Sequence, residues 1–198
     1  PLTAIGINLP NDQRIRERYG SKSVTIANIN EAYDKAQLPA YRSEFCWDAD
    51  EVARAERFGA LASEVTTAIH EVLGHGSGQV AEHLEGQPQL ALKETYSSIE
   101  ETRADLVALY FVGDPKVAEV GLLPAADQEA VVRTEYEAYA RNALVQLRRV
   151  REGSTLEEDH MRNRQLVVHW LLEHTEAIDV RLRDGRTYYV VEDIGAFH

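Results

Sequence analysis

Two short stretches of this sequence hold residue types whose spacing suits metal chemistry. In the first, His70-Glu71-Val72-Leu73-Gly74-His75, two imidazoles bracket a carboxylate. The common zinc-peptidase pattern sets its histidines at i and i+4, stacked on one helix face, with glutamate after the first. Here the second histidine stands at i+5. At about 100° per residue, a regular helix would hold the two rings about 140° apart, too far for one ion. The helix is therefore expected to widen into a π-type bulge or to unwind at its end. Gly74 is expected to take up that distortion, because glycine does so at the lowest steric cost.

The second stretch is Glu100-Glu101-Thr102-Arg103-Ala104-Asp105, flanked by Tyr96, Ile99, Leu106 and Leu109. Three acids beside apolar neighbours are awkward as buried packing, since unpaired carboxylates are costly to desolvate. A metal accounts for them. One carboxylate completes a His₂Glu set around Zn²⁺ and leaves a fourth position open. The others orient the histidine rings through their second nitrogens. Taken alone, the second stretch reads as a solvated acidic face, whereas the first already favours a metal over surface histidines at a helix end. Found together, they favour the metal.

The elements that must position these residues can be read from caps and periodicity. Asp48 offers an N-cap, and Val52, Phe58, Leu61, Val65, Ile69 and Leu73 recur at helical spacing until Gly74, Gly76 and Gly78. A second helix is expected over roughly 91–112, ending at Gly113-Asp114-Pro115, and a third over about 126–152. Ser154-Thr155-Leu156-Glu157 has the capping-box pattern and opens a fourth, reaching about Thr175. Residues 177–193 read as a β-hairpin around Asp184-Gly185. Residues 1–30 show no helical period and read as short strands and loops. The expected fold class is mainly α: a helical zinc-binding lobe with minor β strands at both ends. The expected division is 1–47, an extended segment belonging partly to a neighbouring lobe, and 48–198, the helical catalytic domain.

The 198 residues, 44% hydrophobic and 27% charged, suffice for one substantial core. A net charge of −12 argues against nucleic acid and anionic membranes as partners. Arg141, Arg148, Arg149, Arg151, Arg162 and Arg164 read as solvated helix faces. The single cysteine, Cys46, excludes an internal disulfide and fits a reducing, cytoplasmic compartment. No apolar run is long enough to span a bilayer. The start at Pro1, directly in an extended stretch, leads us to expect a piece of a longer protein.

At its two motifs the sequence resembles the dipeptidyl peptidase III family of zinc aminopeptidases. That family is marked by H-E-x-x-G-H-G-S-G and E-E-x-R-A-E, matched here at residues 70–78 and 100–105. Gly6-Ile7-Asn8-Leu9-Pro10-Asn11 is similar to its G-I-N-x-P-N strand, and His160-Met161-Arg162-Asn163-Arg164 to its H-M-x-x-R segment. By position, the resemblance implies one Zn²⁺ held by His70, His75 and Glu101, with Glu71 as general base. It makes Glu100 and Asp105 partners of the ligand histidines and His160 a transition-state stabiliser. It makes Asn8 and Asn11 substrate binders, and Arg164 a residue lining the site. The implied activity is removal of dipeptides from the N-terminus of short peptides by a catalytic core of a short, bacterial-type member.

Two departures from the family pattern matter. Asp105 stands where the family has glutamate and is one methylene shorter, so its contact with a ligand histidine is expected to be longer or water-bridged. The link between the motifs is short, and the family's long N-terminal part is absent, so a missing lobe or fused domain is an expected partner. The alternative is a zinc-holding lobe of a larger protein that is not catalytically competent alone. Glu71 favours chemistry, because a purely structural zinc has no use for a base. An acidic helical interaction module would leave both motifs as coincidences.

Overall fold

The computed structural model describes residues 6–10, 12–26, 28–29, 32, 43–84, 87–148, 150–151, 155–156 and 158–198. Four helices build its core: α2 (Ala49–Ile69), α4 (Tyr96–Phe111), α6 (Gln128–Leu147) and α7 (Asp159–His174). Helix α2 packs along α6, and α4 along α7. Alanines at the crossings, among them Ala62, Ala104, Ala108, Ala140 and Ala143, are almost wholly buried and let the backbones approach. Val65, Ile69, Leu109, Val112, Val131, Tyr136, Tyr139 and Val168 fill the space between them. The fold is mainly α, with a small antiparallel strand pair near each end.

Helix α2 starts where its cap predicts, with the Asp48 carboxylate accepting from the Glu51 amide at 2.8 Å. Glu51 in turn accepts from the Trp47 amide and ion-pairs with Arg141 of α6. Arg54 forms a forked pair with Glu137 of α6 at 2.7 and 3.1 Å. At the far end, β3 (Ile178–Arg183) and β4 (Arg186–Val191) pair antiparallel and lie on α6. Asp184 and Gly185 both have positive φ, as a two-residue hairpin turn requires.

Several expectations are corrected. The helix expected over 91–112 is broken: α3 (Pro88–Leu92) ends at Lys93, whose φ of 51° departs from the helix, and a 3₁₀ turn leads into α4. Helix α6 stops at Leu147, and α7 starts at Asp159, where the Glu158 carboxylate caps the amides of His160 and Met161. Ser154 and Glu157 of the expected capping box lie outside the described residues. Arg141 and Arg164 do not sit on solvated faces but inside the helix packing, facing Glu51 and Asp105 respectively. The N-terminal region is not all strand and loop. Strands β1 (Gly6–Leu9) and β2 (Lys22–Thr25) pair antiparallel around a helix, α1 (Gln13–Tyr19), capped by Asp12. At seven residues α1 is too short to show a period, and Arg16 is its one buried residue. Two further short helices are α5 (Pro115–Glu119) and α8 (Ile194–Phe197). Among the described residues no helix is long and apolar enough to cross a membrane.

Candidate metal centre

Helix α2 changes pitch where its sequence requires it. Residues His70–Gly74 form a π-turn, closed by the His75 amide donating to the His70 carbonyl at 2.9 Å. The extra residue in the turn returns His75 to the face of His70, and the ring centroids stand 4.7 Å apart. The widened turn ends at Gly74, as expected, and contact with α4 is what requires glycine there. Gly74 has no positive φ. Instead, a Cβ there would lie 2.9 Å from Cα, Cβ and O of Ala104, so glycine lets α4 press directly on the turn. Gly76 is likewise sterically required, since its Cβ would meet the Val72 carbonyl oxygen at 2.1 Å.

That close approach delivers the acids of α4 to the histidines. Asp105 Oδ1 lies 2.8 Å from His70 Nδ1, and Glu100 Oε1 lies 3.2 Å from His75 Nδ1. The Asp105 contact is direct, correcting the expected longer or water-bridged one, because α4 sits near enough for the shorter side chain to reach. With each Nδ1–H facing a carboxylate, each Nε2 is left to offer a lone pair. The two Nε2 atoms converge on Glu101 Oε2, at 3.3 Å from His70 and 3.6 Å from His75. Glu101 Oε2 is buried and makes no hydrogen bond. Two imidazole nitrogens and a carboxylate oxygen, all within 4.8 Å of one another, form a group able to hold one metal ion. This donor set matches zinc with an open fourth position.

The electrostatics are those of tightly coupled acids and bases. Burial pushes His70 and His75 down, but the facing carboxylates win and raise both to about 9 in the metal-free site. Burial likewise opposes ionisation of Glu100, yet His75 and Arg103 hold it down at about 2. Glu101 is lowered against its burial by His70, His75 and His160. Asp105 is lowered against its burial by His70 and Arg164. Behind it, Tyr139 donates to Asp105 Oδ2 at 2.9 Å, and the Arg164 guanidinium stacks 4.2 Å from the Tyr139 ring centroid.

A cleft of about 440 Å³ opens over these groups, lined by Asn8, Glu71, Tyr96, Glu101 and His160 among others. His160 Nδ1, at the start of α7, is 3.4 Å from Glu101 Oε2, and its side chain is largely exposed. Asn8 Nδ2 donates to the Glu71 carbonyl at 2.9 Å and to Ser23 Oγ at 2.7 Å. Asn11 lies outside the described residues. Arg164 is not in the cleft wall; its Nη2 lies 3.7 Å from Asp105 Oδ2. Arg16, Ser23, Arg103 and Tyr139 also touch the site, a role the sequence did not assign them. For Arg103 the signal was present, three residues after Glu100 on one helix face. For the others the contacts are long-range and carry no local pattern.

Comparisons with known proteins agree with this geometry. The model of peptidase family M49 matches residues 2–92 and 83–192. Dipeptidyl peptidase 3 of Mus musculus is 27% identical, the match covering 87% of this chain and 27% of that protein. The corresponding proteins of Nematostella vectensis and Homo sapiens are 25% and 26% identical, with the same coverage. The solved structure of DPP III from Caldithrix abyssi superposes with a TM-score of 0.65 at 27% identity, covering 96% of this chain and 34% of that one. The chain thus spans about a quarter of the length of the curated relatives it matches. A π-turned His-Glu motif facing an acidic helix, matched by the family model along nearly the whole chain, places this chain in peptidase family M49, with the dipeptidyl peptidase III proteins.

Proposed function

We propose that this chain is the zinc-holding catalytic core of a dipeptidyl peptidase that acts on the N-terminal end of short peptides. The observation that carries this reading is the buried Glu101 Oε2, which makes no hydrogen bond and lies between the Nε2 atoms of His70 and His75. His70, His75 and Glu101 would hold one Zn²⁺. When bound, that ion supplies a Lewis acid that acidifies water and polarises a carbonyl. Glu71 accepts the proton of the attacking water and returns it to the leaving amine. His160, at the cleft mouth, donates to the developing oxyanion. Glu100 and Asp105 hold the ligand rings in one tautomer and orientation.

Asn8 and Asn11 bind the peptide backbone. The Nδ2 of Asn8 is committed to Ser23 Oγ and the Glu71 carbonyl, which ties strand β1 to the turn that carries Glu71. Arg164 acts through Asp105 and Tyr139, from behind the site. Residues 48–198 form the catalytic domain, and 1–47 continue partly into a neighbouring lobe. The acidic chain has no nucleic-acid partner in this reading, and its setting is the cytoplasm.

A second reading is favoured by the coverage of only 27% of the relatives' length: a zinc-holding lobe that needs the rest of the protein to act. Metal chemistry requires a substrate held in line with the water, and much of that grip would lie elsewhere. Release of dipeptides from dipeptidyl arylamides, measured with zinc content for this chain and for a longer one, separates the two. Zinc in both with turnover only in the longer chain supports the lobe. Zinc-loaded longer chain without dipeptide release would overturn the peptidase assignment.

A further inference from the structure

We infer that Arg16, on the short helix α1, is a positioning residue for the metal: one guanidinium holds both the main chain of His75 and the carboxylate that orients its ring. The inference rests on His70, His75 and Glu101 holding the ion. Arg16 is 8% exposed. Its Nη1 donates to the His75 carbonyl at 2.7 Å and reaches Glu100 Oε1 at 3.4 Å. Its Nη2 donates to Gln13 Oε1 at 2.7 Å, which fixes the plane of the fork.

The placement answers two needs created by the π-turn. The carbonyl of His75 stands at the end of a helical run, where main-chain acceptors lose their partners and a cation is favoured. The His75 ring must also keep its Nε2 toward the ion, which Glu100 arranges by taking its Nδ1 side. Glu100 itself is held by the fork of Arg103, at 2.7 and 3.0 Å, and Arg103 reaches on to the Ser77 carbonyl. Arg103, however, lies on the same helix as Glu100 and does not touch His75's main chain. Arg16 alone among the described residues both bonds the His75 carbonyl and ion-pairs with Glu100, so a shift of α1 moves backbone and ring orientation together. Nη1 meets both acceptors while Nη2 is held by Gln13, and a lysine, a single point charge, lacks the second arm that fixes the first in place.

Helix α1 also provides an internal control. Glu17, next to Arg16, accepts from the Val80 amide at 2.8 Å and so ties down the same loop without touching His75 or Glu100. If α1 were only a strut, removing either tie would loosen the metal equally.

The experiment compares the chain with its Arg16→Ala, Arg16→Lys and Glu17→Ala variants, using Zn²⁺ release to a coloured chelator in excess and the visible absorption of Co²⁺-loaded protein. Helix content by circular dichroism confirms folding; should Arg16→Ala fail to fold, Arg16→Lys carries the comparison. Loss of an outer partner of a metal ligand typically costs about 10–100-fold in affinity. Arg16→Ala is therefore expected to release zinc at least about 10-fold faster, with a changed Co²⁺ spectrum, Arg16→Lys to recover part of the loss, and Glu17→Ala to stay within about twofold. Equal release from Arg16→Ala and Glu17→Ala, or an unchanged Co²⁺ spectrum in Arg16→Ala, would overturn the inference. Absence of metal binding by the unsubstituted chain would instead overturn the site itself.

Discussion

Replacing Gly74 by alanine tests how the two motifs are brought together. In an open helix this change would stabilise, because glycine is about 0.8–1.0 kcal/mol less favourable than alanine. Here the new methyl would lie 2.9 Å from Cα, Cβ and O of Ala104. Carbon atoms settle at about 3.5–4.0 Å, so the turn and α4 must part by roughly 0.6 Å or more. Overpacking of that kind costs about 1–3 kcal/mol. The same movement would stretch the His70–Asp105 contact from 2.8 Å to about 3.4 Å, where a hydrogen bond is much weaker. The expected outcome is a loss of about 10–100-fold in zinc affinity. Chelator competition reads the affinity, and thermal unfolding with and without zinc reads the stability. The rise in Tm on adding zinc should shrink in the variant. Zinc bound as tightly as in the unsubstituted chain would refute the claim that this glycine sets the spacing of the ligands.

Gly59, within α2, has nothing within 4 Å of a Cβ, so Gly59→Ala is expected to stabilise by up to about 1 kcal/mol; a lowered Tm would contradict the packing. Glu71→Ala should keep its zinc while a longer, active chain loses at least ~10²-fold in turnover; loss of the metal would make Glu71 structural. The third expectation concerns pH. His70 and His75 rise from 6.5 to about 9 in the metal-free site. Their contribution to stability is therefore complete below the unfolded value and is lost as pH rises through the folded one. The metal-free Tm should fall over that window, while the increment given by zinc grows, because binding must displace fewer protons. A metal-free Tm that stays flat across the window would show that the carboxylates do not hold these rings.

What could be read in the sequence was what local geometry dictates. An i+5 spacing of two ligands cannot be met by a regular helix, so a break at His70–Gly74 followed from arithmetic, and of the two forms open to it the chain takes the π-turn. Asp184-Gly185 demanded positive φ at both positions, and the hairpin is there. That the turn widens at Gly74 was legible, but not that the constraint on it comes from Ala104, thirty residues on and on another helix. Asp105 was expected to fall short for the same reason: side-chain length was legible, but the closeness of α4 was not. Arg141 and Arg164 looked solvated because a buried arginine with an acid partner leaves the same local pattern as an exposed one. Helix α1 and Arg16 were missed because the helix has two turns and its one buried residue is charged.

Counting the metal tests the centre most directly. Zinc should be quantified by atomic absorption in the purified chain, in Glu101→Ala and in Glu100→Ala. The buried Glu101 Oε2 between two Nε2 atoms predicts one zinc per chain, lost on Glu101→Ala and only weakened on Glu100→Ala, whose carboxylate meets His75 on the side away from the ion. A chain that takes up no zinc, or one that keeps it equally well without the Glu101 carboxylate, would contradict the assignment of the site.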